Sequence, residues 1–290
     1  MTTSASGRER YDAGRRGDAP PPPEPLSVAA VDAHCHLDLM DVTVEEAVAA
    51  AKAVGIDRLV TIGIDVPSSE WSMQTATDHA DVYATVAIHP NEAHTADERA
   101  WSRIAELADD PSVVGVGETG LDHYRTAEDG WRQQEESFRR HIDIAKRSGK
   151  ALVIHDRDAH GEVLRVLEKE GAPDNVVFHC FSGDADFARA CADRGYVMSF
   201  AGNVTFKNAD DLRAAAAIAP ADLLLVETDA PFLTPMPYRG RPNAPYLVPM
   251  TVRALAAVRG ESPEEVAAAV SATAARVFAW GRGNSDIRTR

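Results

Sequence analysis

Short apolar runs alternate with longer amphipathic segments along most of the chain. The apolar runs are rich in β-branched residues and end in polar or glycine residues, which is typical of strands buried on both faces of a sheet. The segments between them are rich in alanine and charged residues, and glycine follows several of them, as expected where helices end. The apolar runs are SVAAVDAH, RLVTIGI, YATVAIH, SVVGVGE, ALVIH, NVVFHCF, YVMSF and LLLVETD.

Strands that alternate with helices predict a parallel sheet built from βαβ units. Eight such units in about 250 residues match the number and size of a (β/α)8 barrel, the TIM barrel of the α/β class. The alternative is an open, doubly wound sheet, which usually carries a G-x-G-x-x-G loop after its first strand. Here H-C-H-L-D stands in that place. The barrel is therefore favoured, as one domain over residues 27–280.

The two ends of the chain depart from this alternation. Residues 1–26 are polar and rich in proline, a composition that predicts a disordered leader because it cannot bury enough apolar surface to become ordered. Residues 281–290 are predicted to form a polar tail.

The charge and the cysteine content of the chain indicate which classes of binding partner and which cellular compartment to expect. The chain has 45 Asp and Glu residues against 30 Lys and Arg, a formal net charge of −15. Duplex binders usually present a broadly basic surface, so a general polyanion binder is excluded, although a small basic patch is not. Three cysteines do not make a disulfide framework and suit a reducing cytosol, so a cytoplasmic protein is expected. No apolar stretch approaches the roughly 18 residues of a membrane helix, and neither a membrane nor an obligate protein partner is predicted.

Polar residues follow most of the predicted strands at their C-terminal ends, where barrel enzymes build active sites. Only strands two and seven lack a strong candidate. The candidates, in chain order, are His34, His36, His89, Glu118, Asp122, His155, Arg157, His179, Glu227 and Asp229.

Side chains on a strand alternate between its two faces. His34 and His36 therefore share a face, and Cys35 between them is expected to pack against the helix layer. By the same rule, Cys180 is expected to turn away from the face that carries His179. A lone buried histidine is more often a core residue than a ligand, but five strand ends that converge with imidazoles and carboxylates favour a metal site.

These side chains are too many for one tetrahedral ion with an open position and are about right for two divalent ions that share a carboxylate. Glu118, on strand four, is the natural bridge between two such ions. Imidazole and carboxylate ligands accept Zn²⁺, Mn²⁺, Co²⁺ or, less readily, Mg²⁺.

The remaining candidates can be divided between the two ions. Asp229 ends the last strand, next to the first strand in a closed barrel. It can bind the ion held by His34 and His36, and it can accept a proton from a water that this ion activates. His155 and His179 then hold the second ion.

Two further residues suit supporting roles. Arg157 lies two residues past His155, on the same face, and its guanidinium suits a phosphate oxygen. The alternative for Arg157 is a structural salt bridge. Glu227 can orient one of the ligands from behind.

With these residues, the chain resembles the TatD family of metal-dependent deoxyribonucleases. The matching motifs are VDAHCHLD, AIHPNEA, VVGVGETGLDHY, LVIHDRDA, FHCFSGD, MSFAGNVTFKNA and ETDAPFLTPMPYRGRPNAPYLV, and they run through residues 28–280. The resemblance implies a TIM-barrel hydrolase with a divalent metal centre that releases nucleotides from DNA ends, as an exonuclease. It implies Asp229 as base and Glu118 as the second catalytic carboxylate. By motif position, the implied metal ligands are His34, His36, Glu118, His155, His179 and Asp229.

Two positions depart from the family pattern. The family commonly has H-P-H in the third-strand motif, where this chain has Asn91 in place of the second histidine, and a substrate contact at the mouth can change as a result. The family commonly has N-E-P in the last loop, where this chain has Asn243-Ala244-Pro245 and lacks the carboxylate. Neither departure touches a proposed ligand.

The first functional hypothesis is a phosphodiesterase that acts on single-stranded or frayed DNA ends. A few cations at the barrel mouth can hold one strand end despite the overall negative charge. Tyr238, Tyr246 or Phe232 could stack on a base, although core or loop packing is the default explanation for each. The candidate phosphate contacts are Arg157, His89, Lys207, Arg239 and Arg241.

Two other hypotheses remain. An amidohydrolase or a lactonase of the phosphotriesterase type could use the same barrel, since a fold does not decide a function. Such two-metal enzymes often offer a lysine on strand four as the bridge, where this chain offers Glu118. An inactive scaffold would show degenerate ligands, whereas all six are present.

Overall fold

Eight parallel strands pair with one another in chain order in this computed structural model, which describes residues 17–280. The sheet closes between its first and last strands. Cys35 forms a parallel bridge with Ala230, and the amide of Asp229 donates to the carbonyl oxygen of His34 at 2.9 Å. The predicted (β/α)8 barrel is therefore confirmed. The strands are β1 Ala30–Cys35, β2 Ile56–Ile62, β3 Val82–Val86, β4 Val113–Asp122, β5 Ala151–Arg157, β6 Val176–Phe178, β7 Val197–Phe200 and β8 Leu224–Val226.

A helix follows each strand. Local signals set several helix ends: Thr43, Asp65 and Ser262 form capping boxes at N-termini. Gly149 ends a 21-residue helix in the left-handed conformation. Within residues 17–280 the α-helices are α1 Val44–Ala53, α2 Val66–Asp78, α3 Glu98–Ala108, α4 Glu128–Ser148, α5 His160–Glu170, α6 Ala185–Ala192, α7 Asp210–Ile218, α8 Val248–Arg259 and α9 Pro263–Val277.

Apolar side chains cover both faces of the strands. The larger buried cluster joins strand residues such as Leu59 and Ile154 to helix residues such as Phe138. A smaller cluster gathers the opposite faces of the strands, including Val153 and Val177. Burial on both faces explains why the apolar runs are continuous and do not alternate with polar residues.

Strand β4 approaches β5 closely at the residues that carry the site. It extends past Glu118 and ends with Asp122 paired to Arg157. Gly120 has φ +132°, and a Cβ added there would lie 2.1 Å from the carbonyl oxygen of His155. Only glycine fits so close to a neighbouring backbone. The glycines of the GETGLD stretch thus allow β4 to hold its carboxylates against β5.

The segment before β1 runs along the barrel without helix or strand. Its carbonyl oxygens accept hydrogen bonds from the barrel, that of Pro20 from the Tyr246 hydroxyl at 2.6 Å and that of Glu24 from Arg253 at 2.7 Å. The boundary between leader and barrel at residue 26 stays a prediction.

Residues 1–16 of the predicted leader and the predicted tail, residues 281–290, lie outside the described residues. Between residues 17 and 280, no helix is both long and apolar enough to cross a bilayer.

Candidate metal centre at the barrel mouth

The C-terminal ends of the strands bring together the imidazoles and carboxylates singled out in the sequence. A cavity of about 880 Å³ opens at this face of the barrel. His34 is fully buried beside it. The ligand candidates that line the cavity are His36, Glu118, His155, His179 and Asp229, and His89 lines it as well.

Glu118 lies between two groups of histidines. Its Oε1 atom is 2.7 Å from Nδ1 of His155 and 2.8 Å from Nε2 of His179. Its Oε2 atom is 3.5 Å from Nε2 of His34 and 3.9 Å from Nε2 of His36. Each oxygen of this carboxylate thus faces a different group, as a bridging ligand requires.

Asp229 completes the group around the first strand. Its Oδ1 atom is 3.7 Å from Nε2 of His34 and 3.5 Å from Nε2 of His36. One ligand atom from each of these three residues lies within 4.8 Å of the other two. The three side chains are therefore close enough to share one ion.

Buried nitrogen atoms test whether these residues fit a metal ion. Among residues 17–280, both ring nitrogens of His34 and the Nδ1 atom of His36 are buried and have no hydrogen-bond partner. A buried polar atom left unpaired costs roughly 1–3 kcal/mol. Imidazole nitrogens beside carboxylate oxygens are ligands that suit Zn²⁺, Mn²⁺ and related ions. The residues present therefore fit a divalent metal.

The charge states of the two carboxylates and of His34 suit metal binding. Burial raises the pKa of Glu118, but the charge of His179 and the hydrogen bonds from the surrounding imidazoles outweigh burial and hold this pKa well below its usual range. The pKa of Asp229 is lowered as well, because the hydrogen bond with His36 and the nearby histidine charges outweigh burial. Burial lowers the pKa of His34. Ionised carboxylates and neutral imidazoles are the forms that bind metals. Burial lowers the pKa of His36, His155 and His179, but the neighbouring carboxylates outweigh burial and raise it, so these imidazoles would give up protons on binding a metal.

Carboxylates behind two of the ligands orient their rings. Glu227 Oε1 lies 3.1 Å from Nδ1 of His179, and it also accepts the amide of Cys180 at 2.7 Å. Asp122 Oδ2 lies 3.2 Å from Nε2 of His155. Such partners set the orientation and tautomer of a ligand. Sequence reasoning assigned this role to Glu227 and assigned none to Asp122.

Cys35 and Cys180, which stand next to ligand candidates in the chain, were both expected to face away from the site. Cys35 is fully buried, and its thiol donates to the carbonyl oxygen of Val60 at 3.4 Å, as expected for the helix-facing side of β1. Cys180 was expected to turn away from the site, and this prediction is wrong, since its side chain lines the cavity. Strand β6 ends at Phe178, and Cys180 adopts a left-handed conformation with φ +44°. Strand alternation does not extend beyond the strand.

Asn91, which departs from the family pattern, supports the carboxylate behind His155. Its side-chain amide donates to Oδ2 of Asp122 at 3.1 Å, and its Oδ1 atom accepts from the Thr126 hydroxyl at 2.9 Å. Asn91 also lines the cavity. Asn91 thus helps to position Asp122, and the altered substrate contact expected at the mouth stays a prediction.

A buried carboxylate that sequence reasoning missed connects the first and last strands. Asp32 accepts the amide of Thr228 at 2.9 Å and its hydroxyl at 2.5 Å, and burial raises the pKa of Asp32 to about 8. The carbonyl oxygen of Thr228 accepts from Asn243 at 2.9 Å. These bonds position the neighbouring Asp229. The signal in the sequence was the spacing, because Asp32 stands two residues before His34.

His89 lies inside the cluster, with Nε2 3.3 Å from Oε1 of Glu118. Its Nδ1 atom accepts the backbone amide of Asn91 at 3.0 Å. A neutral imidazole that accepts at Nδ1 carries its proton on Nε2, and burial lowers the pKa of His89. His89 therefore points an N–H donor into the site, although with Glu118 and His155 it also meets the distance requirement for a metal group.

The tautomer of His89 leads to a prediction that separates a donor from a ligand. His89→Ala is expected to lower the hydrolysis rate about tenfold to a hundredfold, the effect of losing a hydrogen bond to a charged group. The metal content of the dialysed protein should stay at the wild-type value. His155→Ala serves as the control and should lose metal. A His89 variant that loses as much metal as the His155 variant would show that His89 is a ligand.

Arginines surround the mouth of the cavity. Arg157, Arg239 and Arg241, which the sequence suggested as phosphate contacts, line it, and so does Arg125, which was missed. Lys207 is exposed on the loop after β7 and does not line the cavity. Its contact with a phosphate stays a prediction.

Comparison with known proteins agrees with the fold. A family model described as TatD related DNase matches residues 31–279. The uncharacterized metal-dependent hydrolase TatD of Mycobacterium tuberculosis is 46% identical over 259 residues, which cover 87% of this chain and 98% of that protein. The uncharacterized metal-dependent hydrolase YabD of Bacillus subtilis is 37% identical over 257 residues, which cover 85% of this chain and 98% of that protein.

Solved structures give the same result. The crystal structure of YJJV, a TatD homolog from Escherichia coli, superposes with a TM-score of 0.81 at 25% identity, over 86% of this chain and 98% of that one. A TatD family hydrolase from Entamoeba histolytica, at 16% identity, shares the fold with a TM-score of 0.77, over 87% of this chain and 99% of that one. The family match spans nearly all of the barrel and includes each proposed ligand. The chain belongs to the TatD family of metal-dependent hydrolases.

Proposed function

We propose that this protein is a deoxyribonuclease that hydrolyses phosphodiester bonds at DNA ends, as an exonuclease on single or frayed strands. The observation that carries the proposal is the set of four arginines that lines the cavity of the metal centre. The chain as a whole has a net charge of −15. Cations gathered at one cleft of an acidic protein attract and orient an anionic substrate there.

Three of these arginines are held against aromatic rings. A guanidinium stacked on a ring keeps its in-plane N–H donors, which suit phosphate oxygens. Within residues 17–280, Arg157 makes no ion pair, so the salt-bridge alternative finds no support. The pairs are Arg157 over Tyr124 at 4.4 Å, Arg239 over Phe206 at 4.3 Å and Arg241 over Tyr238 at 5.6 Å, each measured to the ring centre.

The size of the cavity favours the end of one strand as substrate. Its volume of about 880 Å³ lies in the range of pockets that enclose small ligands. Such a pocket suits a few nucleotides of a single strand, whereas a duplex needs a much broader basic surface.

The roles of the chain's own residues follow from their positions. Divalent ions, when bound by the ligand cluster, would polarise a phosphoryl oxygen and lower the pKa of a water towards about 7. Asp229, whose side chain is 15% exposed at the cavity, is placed to accept the proton of the attacking water. Glu118 holds the histidines of both groups in place, and the arginines bind the phosphates.

The test is release of nucleotides from end-labelled single-stranded DNA. The protein is stripped of metal and then given Mn²⁺, Mg²⁺, Co²⁺ or Zn²⁺ in separate reactions, with bound metal counted in parallel. We expect labelled mononucleotides only when a metal is present, and the end that carries the label gives the direction of digestion.

The same experiment can overturn the proposal. A protein that binds its ions and releases no nucleotide with any of the four metals would not be a nuclease. The amidohydrolase and lactonase hypotheses would then be tested with amide and carboxyl ester substrates.

A further inference from the structure

Tyr124 is an unusually exposed aromatic residue that does not itself line the cavity and directly precedes Arg125, which does. Its exposure of 66% is the highest among the exposed large hydrophobic residues of the described chain. The guanidinium of Arg157, which lines the cavity, lies 4.4 Å from its ring centre. Phe206 and Tyr238, the other two rings beneath cavity arginines, are half-buried. Of the three rings that lie beneath cavity arginines, Tyr124 is therefore the one most exposed to solvent.

The loop that carries Tyr124 is tied to the metal centre. Asp122 accepts the backbone amides of Tyr124 at 3.1 Å and Arg125 at 2.8 Å through Oδ1. The other oxygen of this carboxylate faces Nε2 of His155 at 3.2 Å. One side chain thus links a ligand candidate to the backbone of the residue that carries the exposed ring.

Further contacts hold the same loop from both sides. The amide of His123 donates to the carbonyl oxygen of Arg157 at 2.9 Å, and the ring of His123 stacks on Trp131 at 3.8 Å. Trp131 in turn donates to the carbonyl oxygen of Thr126 at 2.9 Å. The exposure of Tyr124 therefore belongs to a well-anchored loop, which lowers the entropic cost of using the ring as a binding surface.

We propose that Tyr124 stacks on a base of the bound strand, a short distance from the scissile bond, while Arg157 binds a phosphate next to that base. The proposal rests on the proposed nuclease function and names the feature that holds the strand beyond the metal centre. Every base offers a π-face, so stacking suits an enzyme that accepts strand ends of any sequence. The Arg157 guanidinium lies over one face of the ring, and the 66% exposure of Tyr124 leaves surface on which a base can stack.

The experiment pairs removal of the ring with removal of a base. Wild type and Tyr124→Ala are compared by kcat/KM on single-stranded oligonucleotides that are intact or carry one abasic site, placed at successive positions from the cut end. On the intact strand, Tyr124→Ala should lower kcat/KM about 5- to 150-fold, mainly through KM, as expected for one lost stacking contact. An abasic site at one position, or at either of two neighbouring positions, should lower kcat/KM of the wild type by a similar factor. On that strand, kcat/KM of wild type and of Tyr124→Ala should be nearly equal, because the base that the ring contacts is missing.

Two control variants make the result specific. Tyr124→Phe keeps a ring and should restore most of the wild-type KM. Ile218→Ala, at an exposed residue of α7 that does not line the cavity, is the matched control and should behave as wild type. A Tyr124→Ala loss of equal size at every abasic position would overturn base stacking in favour of a purely structural role, and no loss on the intact strand would overturn it outright.

Failure of the underlying function looks different. In that case wild-type protein releases no nucleotide from the intact strand, before any variant is compared, and both proposals fall together. Release by wild type without coupling to an abasic site overturns only the role of Tyr124.

Discussion

Asp229→Asn is expected to lower metal-dependent hydrolysis by about 10²–10⁴-fold, the range for loss of a general base, while the barrel stays folded. Asparagine keeps the shape of the side chain and cannot take up the proton of the attacking water. The substitution also weakens the group around His34 and His36, whose Nε2 atoms lie 3.7 and 3.5 Å from Oδ1 of Asp229. Loss of the base and weakening of one metal group therefore act together.

Asparagine is the right replacement because of the backbone at this position. Asp229 has φ +53°, and asparagine tolerates the left-handed region better than most other residues do. Alanine would mix backbone strain with the chemical effect. The measurement is the rate of nucleotide release, with thermal unfolding recorded in parallel.

Asp222→Asn is the matched control for this change. Asp222 is exposed in the turn before β8, at the other end of the strand that leads to Asp229, and the substitution removes the same charge. It should leave the rate at the wild-type value. An Asp229→Asn variant as active as wild type would exclude Asp229 as the base.

Glu118→Gln is expected to have the largest effect on metal content. Glu118 faces histidines on both sides, at 2.7 and 2.8 Å for His155 and His179 and at 3.5 Å for His34. Glutamine removes the negative charge and turns one acceptor into a donor. Residues that only orient ligands already change metal affinity by about 10–100-fold, so loss of a bridging ligand should cost at least as much.

Metal analysis after dialysis against a fixed concentration of free ion measures this effect. Wild type should hold two ions per chain, and Glu118→Gln should hold one or none, with a corresponding loss of hydrolysis. Glu168→Gln, at an exposed position on α5, is the control for the substitution itself and should retain both ions. Two ions bound to Glu118→Gln with wild-type affinity would show that Glu118 is not the bridge.

Much of the barrel and its ligand set could be predicted because both depend on local patterns. Continuous apolar runs indicate strands buried on both faces, and the segments between them indicate helices. Parallel strands in a barrel all end at one face, so residues such as His34, Glu118 and His179, far apart in the chain, were expected to meet. The cavity formed at this face is lined or flanked by all of them.

Local patterns failed where the regular strand stops. Cys180 stands two residues beyond β6, and its left-handed backbone turns its side chain into the cavity, against the expectation from alternation. Strand β4 was expected to end near Glu118 and instead continues to Asp122, because it pairs there with Arg157 of β5. That pairing depends on Gly120, which lets β4 come close to β5, and on the position of β5 itself. The order of apolar and polar residues within β4 indicates neither of them.

The sequence by itself determined the barrel and the residues that face its mouth, since the alternation of side chains within one element is a local property of the backbone. Only the tertiary structure decided what the loops do. It brought Asp122 between His155 and the amide of Tyr124, and it made Asn91 the partner of Asp122. Loop conformations depend on hydrogen bonds between residues far apart in the chain, and no periodic pattern records such bonds.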